Sequence, residues 1–211
     1  MTQLLSVIVP VHNESTVLGA FHARMCAVMR DTGYRFEIVY VDDGSSDDSL
    51  ARLSEIRDDD AAVAVVELSR NFGKEVALSA GLDHARGDAV ILIDADLQDP
   101  PELVATFIEE WQNGYDVVYG KRVDRRGDSK VKVLSARWFY RILNYLSDVE
   151  IPEDVGDFRL LSRRAVEALA SLPERHRYMK GLYAWIGFPQ KAVPYVREPR
   201  ESGYSKWNYW L

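Results

Sequence analysis

The chain has 211 residues, 47% of them apolar, enough for one domain with a sizeable core. Its net charge of -7 divides unevenly: residues 1–120 carry 8 Lys and Arg against 22 Asp and Glu, and residues 121–211 carry 18 against 11. A single cysteine, Cys26, excludes a disulfide framework and fits a reducing compartment, and no run reaches the roughly 18 apolar residues of a spanning helix. The acidic first part suits cations, and the basic second part suits phosphates or an anionic membrane surface. No nucleic-acid partner is expected. The first apolar run is short and no basic residue precedes it, so no signal peptide is expected.

Residues 4–10 read as a buried strand, followed by a polar loop with His12, Asn13 and Glu14 and a helix over 17–30. A second strand over 34–41 ends in Asp42, Asp43 and Gly44, and a helix over 49–57 leads to a third strand at 62–68. This β-α-β-α-β order predicts a parallel sheet with right-handed crossovers. The loop with Asn71, Gly73 and Lys74 then opens a helix that runs to about residue 85.

Val90, Ile91, Leu92 and Ile93 follow one another without polar alternation, as in a strand buried on both faces. Asp94 and Asp96 sit at its carboxyl end, where open parallel sheets place their ligands. Two carboxylates one residue apart can share a hard divalent cation that keeps positions free for phosphate oxygens. A solvated strand end, or a cap for the helix starting near Asp99 to Glu102, is the alternative. The loop after the first strand lacks G-x-G-x-x-G and G-x-x-x-x-G-K-[ST], which argues against nicotinamide binding and a P-loop hydrolase. Three strand ends on one sheet edge instead carry Glu14, Asp43 and the Asp94/Asp96 pair.

A helix is expected over 102–113 and a short strand over 116–120, followed by the cations Lys121, Arg122, Arg125 and Arg126, either a solvated loop or an anion site. Residues 131–146 place Val131, Leu134, Trp138, Ile142 and Tyr145 on one helical face, among Lys132, Arg137 and Arg141. That describes a core-facing helix, an oligomer contact or, the favoured reading, a helix lying on an anionic bilayer. Asp154, Gly156, Asp157, Phe158 and Arg159 are read as a polar motif ahead of a helix over 163–170, with Asp157 as one candidate N-cap. A helix over 178–186 and a strand over 191–196 precede a polar loop at 197–207, and the chain ends in aromatic residues that favour a membrane interface.

SVIVPVHNE, VDDGSSDDS, RNFGKEVALSAGLDHARGD and DADLQDPPE, with GDFRLLSRRAV and RESGYSKW later, stand in the order and spacing of a known family. The chain resembles the family 2 GT-A glycosyltransferases, and within them the polyprenyl-phosphate enzymes such as dolichol-phosphate mannose synthase and the bactoprenol glucosyltransferases. The resemblance implies an α/β fold of the Rossmann-like GT-A type, a mostly parallel twisted sheet flanked by helices. Residues 1–125 would form the nucleotide-sugar half, 126–206 the acceptor half, and 207–211 the start of a membrane-proximal segment of a longer protein.

The resemblance also implies site roles. Pro10, Asn13, Glu14 and Asp43 would surround base and ribose, with Asn71 and Lys74 nearby, although Lys74 also reads as a solvated helix opener. Asp96 would hold Mg²⁺ or Mn²⁺ against the diphosphate, with Asp94 and Gln98 in support. Arg122, Lys132, Ser135, Arg200, Ser205 and Lys206 would receive the acceptor phosphate. Asp157 is the candidate base, or else a group that orients Arg159, metal or acceptor, because a phosphate monoester with a second pKa of about 6 is already largely a dianion at neutral pH.

The implied reaction is inverting transfer of a hexose, with UDP-glucose the first choice of donor, to undecaprenyl phosphate at the cytoplasmic membrane face. A homo-oligomer, with a tetramer among the forms, is implied too. A glycan or protein acceptor, and a module without turnover, are the rival readings.

Overall fold

The computed structural model describes residues 3–123, 155–174 and 177–198. The expected helix over 131–146, with Lys132 and Ser135, lies outside the described residues, as do Arg125, Arg126, Asp154, Arg200, Ser205 and Lys206.

Strands β1 (Leu4–Val11), β2 (Arg35–Asp42), β3 (Val63–Glu67) and β4 (Ala89–Leu92) alternate with helices α1 (Leu18–Asp31), α2 (Ser49–Asp59) and α3 (Lys74–His84). Helix α4 (Leu103–Gln112) then leads to β5 (Val117–Arg122). Strand β6 (Val155–Ser162), two short helices, α5 (Arg163–Ala170) and α6 (Met179–Trp185), and β7 (Gln190–Tyr195) complete the described elements. The strands form one seven-stranded sheet in the order β3-β2-β1-β4-β6-β5-β7.

Sequence logic explains most of this. Helix α1 buries Leu18, Phe21, Met25, Cys26 and Met29, a spacing that lines one helical face against the sheet. Strand β4 is buried at all four positions, as its unbroken apolar run requires. The two faces of the sheet carry separate apolar clusters, one around Phe21, Tyr40 and Phe107, the other around Ile8, Leu78 and Leu161. Each fully buried Leu, Ile or Phe contributes roughly 1.5–3 kcal/mol of transfer free energy.

Strand β6 departs from expectation. Residues 155–162 form a strand that runs antiparallel to both neighbours, β4 and β5, whereas the other described pairings are parallel. Sequence patterning hid it, because Gly156, Asp157 and Arg159 interrupt the apolar pattern. Arg159 is only 2% exposed, and its charge is absorbed locally: Nη2 donates to the Gly156 carbonyl at 2.8 Å, and the guanidinium lies 3.6 Å from the Tyr183 ring centroid. The N-cap reading of Asp157 also gives way, since Ser162 caps α5 by accepting from the Ala165 amide at 3.3 Å.

Candidate active site

A cleft of about 260 Å³ opens beyond the carboxyl ends of β1, β2 and β4 and is lined by Pro10, Glu14, Asp43, Asn71, Lys74, Asp94 and Asp96, with His12 and Gly73 among its other walls. Those first seven are residues singled out from sequence, and the fold brings them into one concavity. Asn13 and Gln98 are not among the lining residues. Asn13 takes a left-handed backbone, φ 54°, and its side-chain oxygen accepts from the Ser46 amide at 2.7 Å, so it joins the β1–α1 loop to the β2–α2 loop. Gln98 contributes its backbone, the amide donating to Asp96 Oδ1 at 3.1 Å.

Asp43 organises the wall opposite. Its two carboxylate oxygens accept from the Phe72 and Gly73 amides at 2.7 and 2.9 Å, which draws the loop before α3 against β2. Gly44 makes that approach feasible: at φ 60°, a Cβ there would sit 2.5 Å from the Asn71 nitrogen. His12 closes the circuit, with Nδ1 2.9 Å from the Asp43 carbonyl and Nε2 3.0 Å from Asn71 Nδ2. Since a carbonyl only accepts, Nδ1 carries the proton and Nε2 receives the amide. Sequence reasoning passed over His12, although its place directly after β1 was a usable signal.

Lys74, the first residue of α3, sets the electrostatics. Its ammonium lies 2.6 Å from Asp94 Oδ1 and 2.6 Å from Asp157 Oδ2. Burial works against the charged amine, but Asp94 and then Asp157 outweigh it and hold its pKa above the ordinary lysine value. Burial likewise works against the Asp157 carboxylate, and Lys74 outweighs it, so that pKa falls below the ordinary carboxylate value. Lys74 stays 40% exposed, as a solvated helix opener would be, but it also bridges Asp94, just beyond β4, to Asp157 of β6. Asp157 Oδ1 is buried and has no hydrogen-bond partner among the described residues.

The Asp96 side of the cleft is braced from the end of the described chain. Arg197 lies 3.8 Å from Asp96 Oδ2 and 3.7 Å from Asp99 Oδ1. Tyr195 donates to Asp99 Oδ1 at 2.5 Å and accepts from Arg122 Nε at 3.3 Å, which places Arg122 behind the Asp99 side rather than in the cleft lining. Just beyond, the Glu198 amide donates to the Gln98 carbonyl at 2.9 Å, and Arg24 holds both Glu198 and Glu102. Neither Arg24 nor Arg197 stood out in the sequence, because their partners are distant in the chain.

Residues 6–170 match the family model described as glycosyl transferase family 2. The chain belongs to that family. It is 47% identical over 210 residues to an uncharacterized glycosyltransferase of Synechocystis, covering 100% of this chain and 66% of that protein. It is 46% identical over 206 residues to the bactoprenol glucosyl transferase of Shigella phage SfV, covering 98% of this chain and 67% of that one. The chain thus spans about two thirds of the length of these relatives. Glucosyl-3-phosphoglycerate synthase of Mycobacterium tuberculosis, solved with Mn²⁺, UDP-glucose and phosphoglyceric acid, has the same fold: TM-score 0.62, 23% identity, 95% of this chain and 73% of that chain covered. The sheet and its flanking helices are those of a GT-A glycosyltransferase.

The donor set of this family 2 domain fits a hard divalent cation. Asp94 and Asp96 offer only carboxylate oxygens at the cleft, and each already faces a cation, Lys74 or Arg197. Among the described residues no third His, Cys, Asp or Glu completes a metal-binding group with them. Two carboxylates with the remaining positions left to phosphate oxygens is the usual arrangement for Mg²⁺ beside a nucleotide. Among the described residues no helix is long and apolar enough to cross a membrane.

Proposed function

We propose that this domain moves a hexose from a nucleoside diphosphate sugar to a polyprenyl phosphate, with UDP-glucose as donor and undecaprenyl phosphate as acceptor. The similarity to a protein named bactoprenol glucosyl transferase supports the acceptor class. The observation that carries the reading is the 2.6 Å pair between Lys74 and Asp157 at the cleft. A carboxylate held ionised by an ammonium is a weak proton acceptor, because general-base efficiency falls as the base's pKa falls below the working pH. A hydroxyl acceptor from a glycan or protein needs a base, whereas a phosphate monoester arrives already largely deprotonated.

In this reading the nucleoside diphosphate lies along the β1, β2 and β4 ends, between Pro10, Glu14, Asp43 and Asn71. Asp94 and Asp96 hold Mg²⁺ or Mn²⁺, which when bound neutralises charge on the departing diphosphate. Lys74, at the start of α3, adds a fixed positive charge beside the same oxygens, aided by the helix N-terminus. Asp157 positions Lys74 and the acceptor, and the acceptor oxygen displaces the diphosphate directly, inverting the anomeric carbon. A lipid acceptor sets the reaction at a membrane, on the cytoplasmic face, where nucleotide sugars are available. Arg197 and Glu198 root the segment that leads to Arg200, Ser205 and Lys206, which receives the acceptor phosphate.

The test is transfer of labelled sugar from UDP-glucose, with GDP-mannose in parallel, into solvent-extractable undecaprenyl phosphate, with and without Mn²⁺, using the full-length protein in detergent or lipid. Metal-dependent label in the organic phase from UDP-glucose is the expected result. Label confined to water for both donors, with nucleotide still bound, would transfer the reading to a glycan or protein acceptor.

A further inference from the structure

Away from the cleft, His22 and Cys26 on α1 meet Asp60, the residue that ends α2, in a nearly equilateral triangle of ligand atoms. His22 Nε2 is 3.6 Å from Asp60 Oδ2, Cys26 Sγ is 3.6 Å from His22 Nε2, and Cys26 Sγ is 3.7 Å from Asp60 Oδ2. Tetrahedral zinc, with bonds of about 2.0–2.1 Å to nitrogen, 2.3 Å to sulfur and 2.0–2.2 Å to oxygen, requires ligand-to-ligand edges of about 3.4–3.6 Å. The three separations come within about 0.2 Å of those edges. Among the described residues these three form the one group of His, Cys, Asp or Glu close enough to hold a metal together.

Two of the three side chains also have partners outside the triangle. His22 Nδ1 lies 3.1 Å from the hydroxyl of Tyr40, a buried residue of β2, and 3.8 Å from Cys26 Sγ, so the thiol sits beside the ring and Nε2 ligates only once the imidazole turns toward it. Asp60 Oδ1 accepts from the Ala62 amide at 2.9 Å, which leaves Oδ2 facing the triangle. A partner on the far oxygen of a carboxylate is what fixes its rotamer in metal sites. Cys26 is 2% exposed and held by the packing of α1.

We propose that His22, Cys26 and Asp60 bind one zinc-class cation, Zn²⁺ or Co²⁺, with a fourth position open to water. A thiolate, a carboxylate and a neutral imidazole balance a divalent ion completely, which suits a partly buried place. A thiolate ligand also selects this class of ion over the hard cation expected at Asp94 and Asp96. Burial, helped by Arg30 and opposed by Asp60, lowers the His22 pKa, the direction that favours a ligating imidazole. Burial and Asp60 keep the Cys26 thiol protonated in the absence of metal, with Arg30 the cation that opposes them. Binding therefore forms a metal–sulfur bond and releases the Cys26 proton to solvent. The ion would pin α1 to the end of α2, independently of the transferase reading.

The experiment is a titration of the wild-type protein with Co²⁺, free of added thiols, read by the near-ultraviolet thiolate-to-cobalt charge-transfer band and by proton release into weakly buffered solution. The expected result is a band that saturates at one equivalent with one proton released, is displaced by Zn²⁺ and survives a hundredfold excess of Mg²⁺. It should vanish in Cys26→Ser, weaken at least tenfold in affinity in His22→Gln, and persist in Asp96→Ala. Absence of the band in the wild-type protein, or its survival in Cys26→Ser, would overturn the proposal.

Discussion

Lys74 lies 2.6 Å from Asp157, so the residue that opens α3 is ion-paired to the antiparallel strand inserted between β4 and β5. The same ammonium also holds Asp94. Their linkage to pH has a definite sign. Because the Asp157 pKa is lowered in the folded state, its contribution to stability is complete above the ordinary carboxylate range and is lost as pH falls through the lowered value. Because the Lys74 pKa is raised, its share is complete below the ordinary lysine value and is lost only as pH rises through the raised one. In Lys74→Met the Asp157 carboxyl keeps its burial and loses its main counter-charge, so its pKa rises. The expected outcome is a loss of roughly 10²-fold in transfer, with the acid limb of the residual pH–rate profile displaced to higher pH.

Asp96→Ala addresses the cation expected at the cleft. Transfer should fall by about 10²–10³-fold, and added Mn²⁺ should not restore it. Thermal unfolding of the variant should show a single transition, since Asp96 sits on a loop rather than in the apolar core. Transfer at the wild-type rate would favour a module without metal-assisted turnover.

Gly44→Ala tests the Asp43 wall. The added methyl meets the backbone of the loop that carries Asn71, and a non-glycine residue in the left-handed region costs about 1–3 kcal/mol. The variant should unfold at lower denaturant and show a larger KM for the nucleotide sugar, with a smaller change in kcat.

Arg24→Ala releases Glu198 and Glu102 together. As a partly exposed pair system its effect on global stability should be at most about 1 kcal/mol. Hydrogen exchange at the Glu198 amide, which donates to the Gln98 carbonyl, should nevertheless accelerate, and exchange in β1 and β4 should not.

Much of this arrangement was legible in the chain, for reasons that can be named. Strands β1 to β4 announce themselves through apolar runs, unbroken in β4, and their ends announce the cleft through Glu14, Asp43, Asp94 and Asp96, because polar residues follow apolar ones abruptly there. Strand β6 was illegible because the burial of Arg159 depends on Tyr183, a residue of a later helix that no local pattern connects to it. The same holds for Lys74. Its sequence neighbours suit a solvated helix start, and only the packing of β6 beside β4 supplies Asp157. Asn13 is instructive in the opposite direction: its position beside the cleft was legible, but its left-handed backbone and its bonds to the β2–α2 loop were not.

The place of β6 in the sheet also dictates an order of assembly. Residues 155–162 separate β4 from β5, so until they leave the ribosome β4 presents an apolar edge with unpaired backbone groups, a template for association with other chains. A nascent chain can build β3-β2-β1-β4 early, but that intermediate needs shielding until β6 docks. Docking covers the edge and delivers Asp157 to Lys74 in one event. The protein therefore acquires its charge bridge only when the hazardous edge has disappeared, and fragments that end before Val155 should aggregate rather than persist as small binding modules.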